Sequence, residues 1–139
     1  KVDEIREVGR TGKGVKGIRL RPKDKVVGME ALSGSGALLT VTTRGFGKRT
    51  DLKEYRRQSR GGQGLINIKI TEKLGKVVGL VTLNEEESEI ILCSEKGILN
   101  KQDTSELRAK GRATQGVKLV NLKPGDRLVA IEKVKKEED

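Results

Sequence analysis

The sequence contains no histidine and no tryptophan, and its 139 residues include one cysteine, one tyrosine and one phenylalanine. Structural zinc sites need clustered cysteine and histidine ligands, so we predict no metal site in this chain. Histidine-based acid–base catalysis and an internal disulfide are excluded for the same reason. Proteins that bind single-stranded nucleic acid stack bases on aromatic side chains. A stacking platform of that kind is therefore excluded as well.

The lone cysteine and the lone tyrosine do not indicate a reactive site. Cys93 lies in the apolar run IILCS, which predicts a small, buried core residue. Tyr55 lies in a basic connection without histidine or an acidic metal-binding cluster, so we interpret it as structural. No apolar run has the length of a membrane-spanning helix, and no secretory segment opens the chain. The sequence thus predicts no membrane role, and one free cysteine fits a reducing cytoplasm.

Basic residues dominate the charge of the chain. Lysine and arginine number 30 against 20 aspartate and glutamate residues, which gives a net charge of +10. Residues 1–70 hold 17 basic and 7 acidic side chains, whereas residues 71–139 hold 13 of each. The first half therefore carries the whole excess, and this excess predicts a polyanionic partner.

Glycine and arginine recur together in three connections along the chain. They are 9–15 (GRTGKGV), 56–65 (RRQSRGGQGL) and 111–117 (GRATQGV). The residues in register are Arg10, Arg60, Arg112, Gly14, Gly64 and Gly116, and the glycines are spaced by 50 and 52 residues. A repeat of this length predicts a repeat architecture.

Short strand patterns fill the segments between these connections. Residues that alternate or are β-branched predict strands at 18–21, 26–32, 38–43, 65–70, 76–83, 90–94, 117–122 and 127–134. The turn at 44–50 leads into a short further strand, and 95–102 stands in the position of 44–50 in the next repeat, with Gly97 matching Gly45. SGSG at 33–36 and NEEES at 84–88 are predicted turns, and 51–59 one helical turn. The fold class is therefore all-β, with propeller-like blades of four antiparallel strands, about two to three blades of a larger ring. The predicted repeat units are 9–58, 59–110 and 111–135, followed by a tail at 136–139.

The glycine-arginine connections favour contact with phosphate groups. Glycine lets the backbone approach closely and can simply join one blade to the next, whereas an adjacent arginine supplies charge. The two uses are compatible. A nucleotide-binding P-loop is excluded, because Glu7 occupies the position of its first glycine and Gly14 that of its serine or threonine. The predicted phosphate contacts are Arg10, Lys13, Lys16, Arg19, Arg44, Lys48, Arg49, Arg56, Arg57, Arg60, Lys69 and Arg112. Without aromatic platforms, the remaining mode is contact with the backbone of a bent duplex.

The turns GRTGKGV, TRGFGKRT and RGGQGL, together with the repeated VVG strand, resemble the C-terminal domain of the DNA gyrase A subunit over essentially the whole chain. That resemblance implies a β-pinwheel, a ring of six four-stranded blades that exchange a strand with their neighbours. The chain is similar to its last two to three blades. The family's box runs Gln-Arg-Arg-Gly-Gly-Lys-Gly. Residues 58–64 depart from it at Ser59 and Gln63 and resemble a degenerate copy, with the true box expected upstream of Lys1.

What the resemblance implies is a non-catalytic module that wraps double-stranded DNA and supports negative supercoiling. The chain itself is expected to have no enzymatic activity and no cofactor. The ATP- and Mg-dependent catalytic regions of the parent type II topoisomerase would lie elsewhere. The implied partners are double-stranded DNA, the remaining gyrase A subunit and the gyrase B subunit. The implied location is the bacterial cytoplasm, at the nucleoid.

Two other functions stay open from the sequence. The first is the equivalent domain of topoisomerase IV, which presents DNA without strong wrapping. The second is a basic structural or interaction repeat whose charge serves solubility. Because an exposed blade edge can accept a strand, self-association of the fragment by strand swapping is also expected.

Overall fold

The computed structural model describes residues 2–84 and 88–135. Antiparallel strands form its regular structure, together with two short 3-10 helices at Val2–Glu4 and Leu52–Glu54. The strands are β1 (Ala37–Thr42), β2 (Phe46–Asp51), β3 (Val77–Leu83), β4 (Ser88–Ser94), β5 (Leu99–Asp103), β6 (Val117–Lys118) and β7 (Leu128–Lys135). The all-β prediction and the single helical turn within 51–59 are confirmed.

The strands form two antiparallel sheets. One has the order β3-β1-β2-β6, and the other has the order β5-β4-β7. In the first sheet, β1 and β2 precede the connection at 56–65, whereas β3 and β6 follow it. Each sheet therefore combines strands from successive sequence repeats, as blades that exchange a strand require.

The two sheets repeat their local geometry. A shift in register lies between Val41 and Thr42 in β1, and another lies between Cys93 and Ser94 in β4. The tight turn after each of these strands places a glycine at positive φ, +80° at Gly45 and +82° at Gly97. Glycine accepts this conformation without steric cost. Gly45 and Gly97 thus occupy equivalent turns in the two sheets.

The main core lies between β1, β3, β4 and β7. Period-two alternation points one face of each strand inward, so that the apolar side chains meet. The buried members are Leu39, Val41, Val81, Leu83, Ile90, Leu92, Leu128 and Ile131. Burial of one such side chain stabilises the fold by about 1.5–3 kcal/mol. A second, smaller cluster contains Phe46, Ile68 and Leu74.

Three predicted strands are wrong, because residues 18–21, 26–32 and 65–70 have no strand structure. The SGSG segment was expected to join 26–32 to β1 as a hairpin, but β1 already pairs with β2 on one side and β3 on the other. The other two segments form isolated backbone hydrogen bonds with glycine-rich connections instead of ladders. Cys93 is half-buried, which corrects the prediction of a core residue, because Ile90 and Leu92 point inward and Cys93 does not. Part of the NEEES turn and the tail at 136–139 lie outside the described residues.

The Cα positions group into two compact units. Unit 1 comprises residues 1–25 and 56–65, and unit 2 comprises residues 26–55 and 66–139. Every buried side chain of the described residues belongs to unit 2. In that unit β6 covers Phe46, which is 9% exposed, whereas the equivalent edge on β5 leaves Leu99 69% exposed. The boundaries of the three sequence repeats stay a prediction, and the β5 edge is where strand swapping would occur.

Candidate nucleic-acid interface

Inside unit 1 the connection at 56–65 pairs with the segment that directly follows the connection at 9–15. The amide of Gly61 donates to the carbonyl of Gly17 at 2.7 Å, and the amide of Arg19 donates to the carbonyl of Gly62 at 2.8 Å. The guanidinium of Arg60 also donates to the carbonyl of Lys16 at 3.4 Å. Because Gly61 has a φ of +77°, the chain can turn sharply at this point. Backbone contacts therefore hold this basic segment in place without a buried core.

The same arrangement recurs one repeat later in unit 2. The amide of Lys69 donates to the carbonyl of Thr114 at 3.1 Å, and the guanidinium of Arg112 donates to the carbonyl of Ile66 at 2.8 Å. Arg112 stands in register with Arg60, and its acceptor stands in register with Lys16. The arginines at 60 and 112 thus have a structural task that sequence reasoning did not identify. The guanidinium groups of Arg60 and Arg112 bind the carbonyls of Lys16 and Ile66, which directly follow the preceding connections.

The charge excess is concentrated in unit 1. Its 35 residues include 12 basic and 4 acidic side chains, a net charge of +8, against +2 for unit 2. Every one of the unit's charged side chains that the structure describes is exposed. The structure brings seven of the predicted phosphate contacts together here, namely Arg10, Lys13, Lys16, Arg19, Arg56, Arg57 and Arg60.

The predicted contacts in unit 2 differ in their exposure. Arg44 and Lys69 are exposed, whereas Arg49 and Arg112 are half-buried. The guanidinium of Arg49 donates to the carbonyl of Leu107 at 3.4 Å. Two of these four side chains are therefore partly committed to the protein's own backbone.

Lys48 is a correction to the predicted contacts, because its side chain is buried. It is 1% exposed, and its Nζ donates to the carbonyl of Gly111 at 3.1 Å and to the carbonyls of Asn67 and Arg112. An ammonium enclosed in this way cannot reach a phosphate. Period-two alternation places Lys48 on the same face of β2 as Phe46 and Thr50, but only the packing of the sheet shows that this face is buried.

A small polar network surrounds the Lys48 ammonium. The Tyr55 hydroxyl donates to Oδ1 of Asn67, whose Nδ2 donates to Oγ1 of Thr40 at 2.7 Å. Burial raises the pKa of the Tyr55 hydroxyl. Burial, as the larger cause, and the nearby charge of Arg112 together lower the pKa of Lys48 to about 8. Lys48 therefore titrates well below an ordinary lysine.

The lowered pKa of Lys48 predicts that the free energy of unfolding rises as pH increases from about 8 to 10.5. In this window the unfolded chain still holds a proton that the folded chain has released, so the rise in pH favours the folded state. The shift corresponds to a gain of up to about 3 kcal/mol. Urea unfolding of the wild type and of Lys48→Met at several pH values measures it.

The expected result is a wild-type curve that rises relative to that of Lys48→Met. Lys53→Met is the matched control, because Lys53 is exposed and should follow the wild type. Parallel curves for the wild type and Lys48→Met would contradict the prediction.

The described part of the chain offers neither a metal site nor a membrane span. Within residues 2–84 and 88–135, no three histidine, cysteine, aspartate or glutamate side chains are grouped so that they could hold a metal ion. In the same residues no helix has both the length and the apolar character needed to cross a membrane.

Known proteins resemble this chain in both sequence and structure. The family described as DNA gyrase C-terminal domain, beta-propeller, matches residues 1–33, 37–84 and 88–135. The gyrase A protein of Salmonella typhimurium is 42% identical over 134 residues, which are 96% of this chain and 15% of that protein. The chain thus spans less than one fifth of the length of this curated relative.

Two solved structures share the fold. A DNA gyrase A C-terminal domain superposes with a TM-score of 0.84 at 27% identity, over 94% of this chain and 44% of that one. The C-terminal domain of a DNA topoisomerase IV superposes with a TM-score of 0.85 at 23% identity, over 95% of this chain and 41% of that one. At 23% identity the second likeness shows the fold alone.

The resemblance found in the sequence is therefore confirmed, as is the blade-type fold that it implied. The matched family covers both sheets and all three glycine-arginine connections. This chain belongs to the DNA gyrase C-terminal domain, beta-propeller family.

Proposed function

We propose that this chain is a non-catalytic module that binds, bends and wraps duplex DNA, and that it supports negative supercoiling by a DNA gyrase. The observation that carries the proposal is the net charge of +8 in the 35 residues of unit 1, on exposed side chains. Exposed lysine and arginine side chains neutralise phosphates and release counterions, which supplies affinity without reading bases. Membership of the gyrase family makes duplex DNA the favoured polyanion.

The proposed contacts follow from the exposure of the side chains. Unit 1 supplies Arg10, Lys13, Lys16, Arg19, Arg56, Arg57 and Arg60, and unit 2 supplies Arg44 and Lys69. Arg49 and Arg112 contribute only the donors that face away from their carbonyl partners, and Lys48 is left out. In the parent enzyme the protein partners would be the rest of the gyrase A subunit and the gyrase B subunit. The complex would act in the bacterial cytoplasm, and ATP and Mg would be used outside this chain.

Binding of the chain to a long, end-tethered duplex tests this function. We expect affinity to fall linearly with the logarithm of salt concentration, with a slope of about −0.9 for each phosphate contact, and the tethered duplex to shorten as protein binds. Binding without shortening would reject bending and wrapping. Binding that does not depend on salt would reject phosphate contact and favour a structural repeat.

The second candidate is the equivalent domain of topoisomerase IV, which shares this fold. Both candidates contact duplex DNA, and they differ in whether the DNA is wrapped with a defined hand. The handedness of DNA crossings trapped by the full subunit separates them. Positive supercoils that remain after relaxation by a separate topoisomerase and removal of the protein support the gyrase function, because strand passage turns a trapped positive crossing into a negative one. Crossings without a handed excess support the alternative.

A further inference from the structure

A second basic surface lies in unit 2, around an open groove of about 1120 Å³. Its walls come from the β1–β2 turn, the loop before β3, the β4–β5 turn, β6 and the loop before β7. The cations that line it are Arg44, Lys73, Lys76, Lys118, Lys123 and Arg127. All except Arg44 come from residues 71–139, which have no net charge as a stretch of sequence. Folding alone collects this positive charge.

Carboxylates in the groove do not neutralise these cations. Glu95 forms an ion pair with Arg127 at 2.8 Å. Asp126 accepts the amides of Lys96 at 3.2 Å and Arg127 at 2.8 Å, and a hydrogen bond from the Ser94 hydroxyl is the main cause of its lowered pKa. Two of the three carboxylates are thus committed to contacts between the β4–β5 turn and the loop before β7. Glu72 is the third, and it faces the five other cations.

Phe46 brings two of the lysines close to each other. The Nζ atoms of Lys73 and Lys118 lie 5.6 and 5.7 Å from the centroid of its ring, so they are no more than about 11 Å apart. The aromatic ring attracts both ammonium groups, which otherwise repel one another. The ring itself is 9% exposed and packs with Ile68 and Leu74, so a base cannot stack on it. Lys73 and Lys118 are both exposed, so their ammonium groups remain open to an anion in the groove.

We propose that this groove binds the phosphodiester backbone of duplex DNA through Lys73, Lys118 and Lys123. The inference rests on the proposed function and adds a contact region in unit 2 to it. Lysine ammonium groups are point charges that suit phosphate oxygens, and the groove has no accessible aromatic ring to hold a base. The contact is therefore independent of DNA sequence. An acidic protein segment would satisfy the charge as well, but DNA is already the partner that the exposed cations of unit 1 favour.

A triple variant tests the groove directly. Lys73, Lys118 and Lys123 are each changed to glutamine, and Lys53, Lys110 and Lys133 of unit 2 are changed to glutamine in the matched control. All six lysines are exposed, and both variants remove three charges from the total of +10. In binding to a long duplex, we expect the salt slope to fall by about 2–3 in the groove variant, at ~0.9 for each phosphate that is no longer bound. In the control we expect a fall of less than about 1.

Equal slopes in the groove variant and the control would overturn the proposal. A second variant with arginine at the three groove positions keeps the charge and should keep the wild-type slope. If the salt slope of the arginine variant falls as well, the three lysines affect DNA binding by stabilising the fold and not by contacting phosphates. Binding of polyglutamate that is abolished in the groove variant, with an unchanged DNA slope, would assign the groove to an acidic protein segment. If the wild type itself shows no salt-dependent binding, the proposed function fails.

Discussion

Binding to a long duplex is expected to weaken at least ~100-fold near 0.1 M salt when five basic residues of unit 1 are replaced by glutamine. The five residues are Arg10, Lys13, Arg19, Arg56 and Arg57. These five side chains of unit 1 are exposed, and among the described residues none of them forms a side-chain hydrogen bond or ion pair. Each is therefore available to a phosphate. The salt slope should fall by about 4, at ~0.9 for each phosphate that is no longer bound. Titration of a fluorescent duplex at several salt concentrations measures both quantities.

Arg60 is left unchanged in this variant because its guanidinium also binds the carbonyl of Lys16. The matched control removes five exposed charges from unit 2, at Lys96, Lys101, Arg108, Lys110 and Lys133. Both variants change the net charge from +10 to +5, so any general effect of charge is the same. A much smaller decrease in affinity is expected in the control. Equal decreases in the two variants would show that total charge, and not the surface of unit 1, determines binding.

Gly116→Ala is expected to lower the free energy of unfolding by about 3 kcal/mol or more. Gly116 has a φ of +84°, and a Cβ atom built there would lie 2.4 Å from the carbonyl oxygen of Gly47. The alanine would therefore combine strain in the left-handed region with a clash against the backbone of β2. The pairing of β2 with β6, which begins at the next residue, should be disrupted first. Urea unfolding measures the change.

Gly97→Ala is the control for the strain alone. Gly97 has a similar φ of +82°, but a Cβ atom there would have no neighbour within 4 Å. This substitution should cost about 1 kcal/mol, the usual penalty for alanine in the left-handed region. An equal decrease in both variants would mean that backbone strain explains the whole effect. The close approach of the connection to β2 would then contribute nothing to stability.

The in-register arginines show how one residue type can serve two purposes. In the sequence they favoured phosphate contact, because glycine alone explains a joint between blades but does not explain an arginine beside it. In the structure Arg60 and Arg112 each donate to a carbonyl that directly follows the preceding connection. The guanidinium N–H groups that do not bind these carbonyls can still donate to a phosphate oxygen. The joint itself thus explains the arginine at two of the three in-register positions, Arg60 and Arg112.

The strands that form the core could be predicted because their pattern is local. β1, β3, β4 and β7 are rich in β-branched and aliphatic residues with period-two alternation, and the structure places each of them within about two residues of its predicted position. The segments 18–21 and 65–70 have the same composition but no strand structure. A strand needs a partner with free backbone groups, and the order of strands in a sheet is set by residues far away in the chain.

Composition and repeat spacing by themselves determined the fold class, the sign of the charge and the absence of histidine chemistry, and the glycine-rich motifs supplied the family resemblance. Tertiary structure alone decided which cations face solvent. Lys48 looked like its basic neighbours, but β2 turns it inward to three backbone carbonyls. The groove around Phe46 arises from a stretch with no net charge, because folding brings together lysines that are separated in sequence. The physical reason is that charge is a property of a residue, whereas burial and electrostatic potential depend on every residue that folding places nearby.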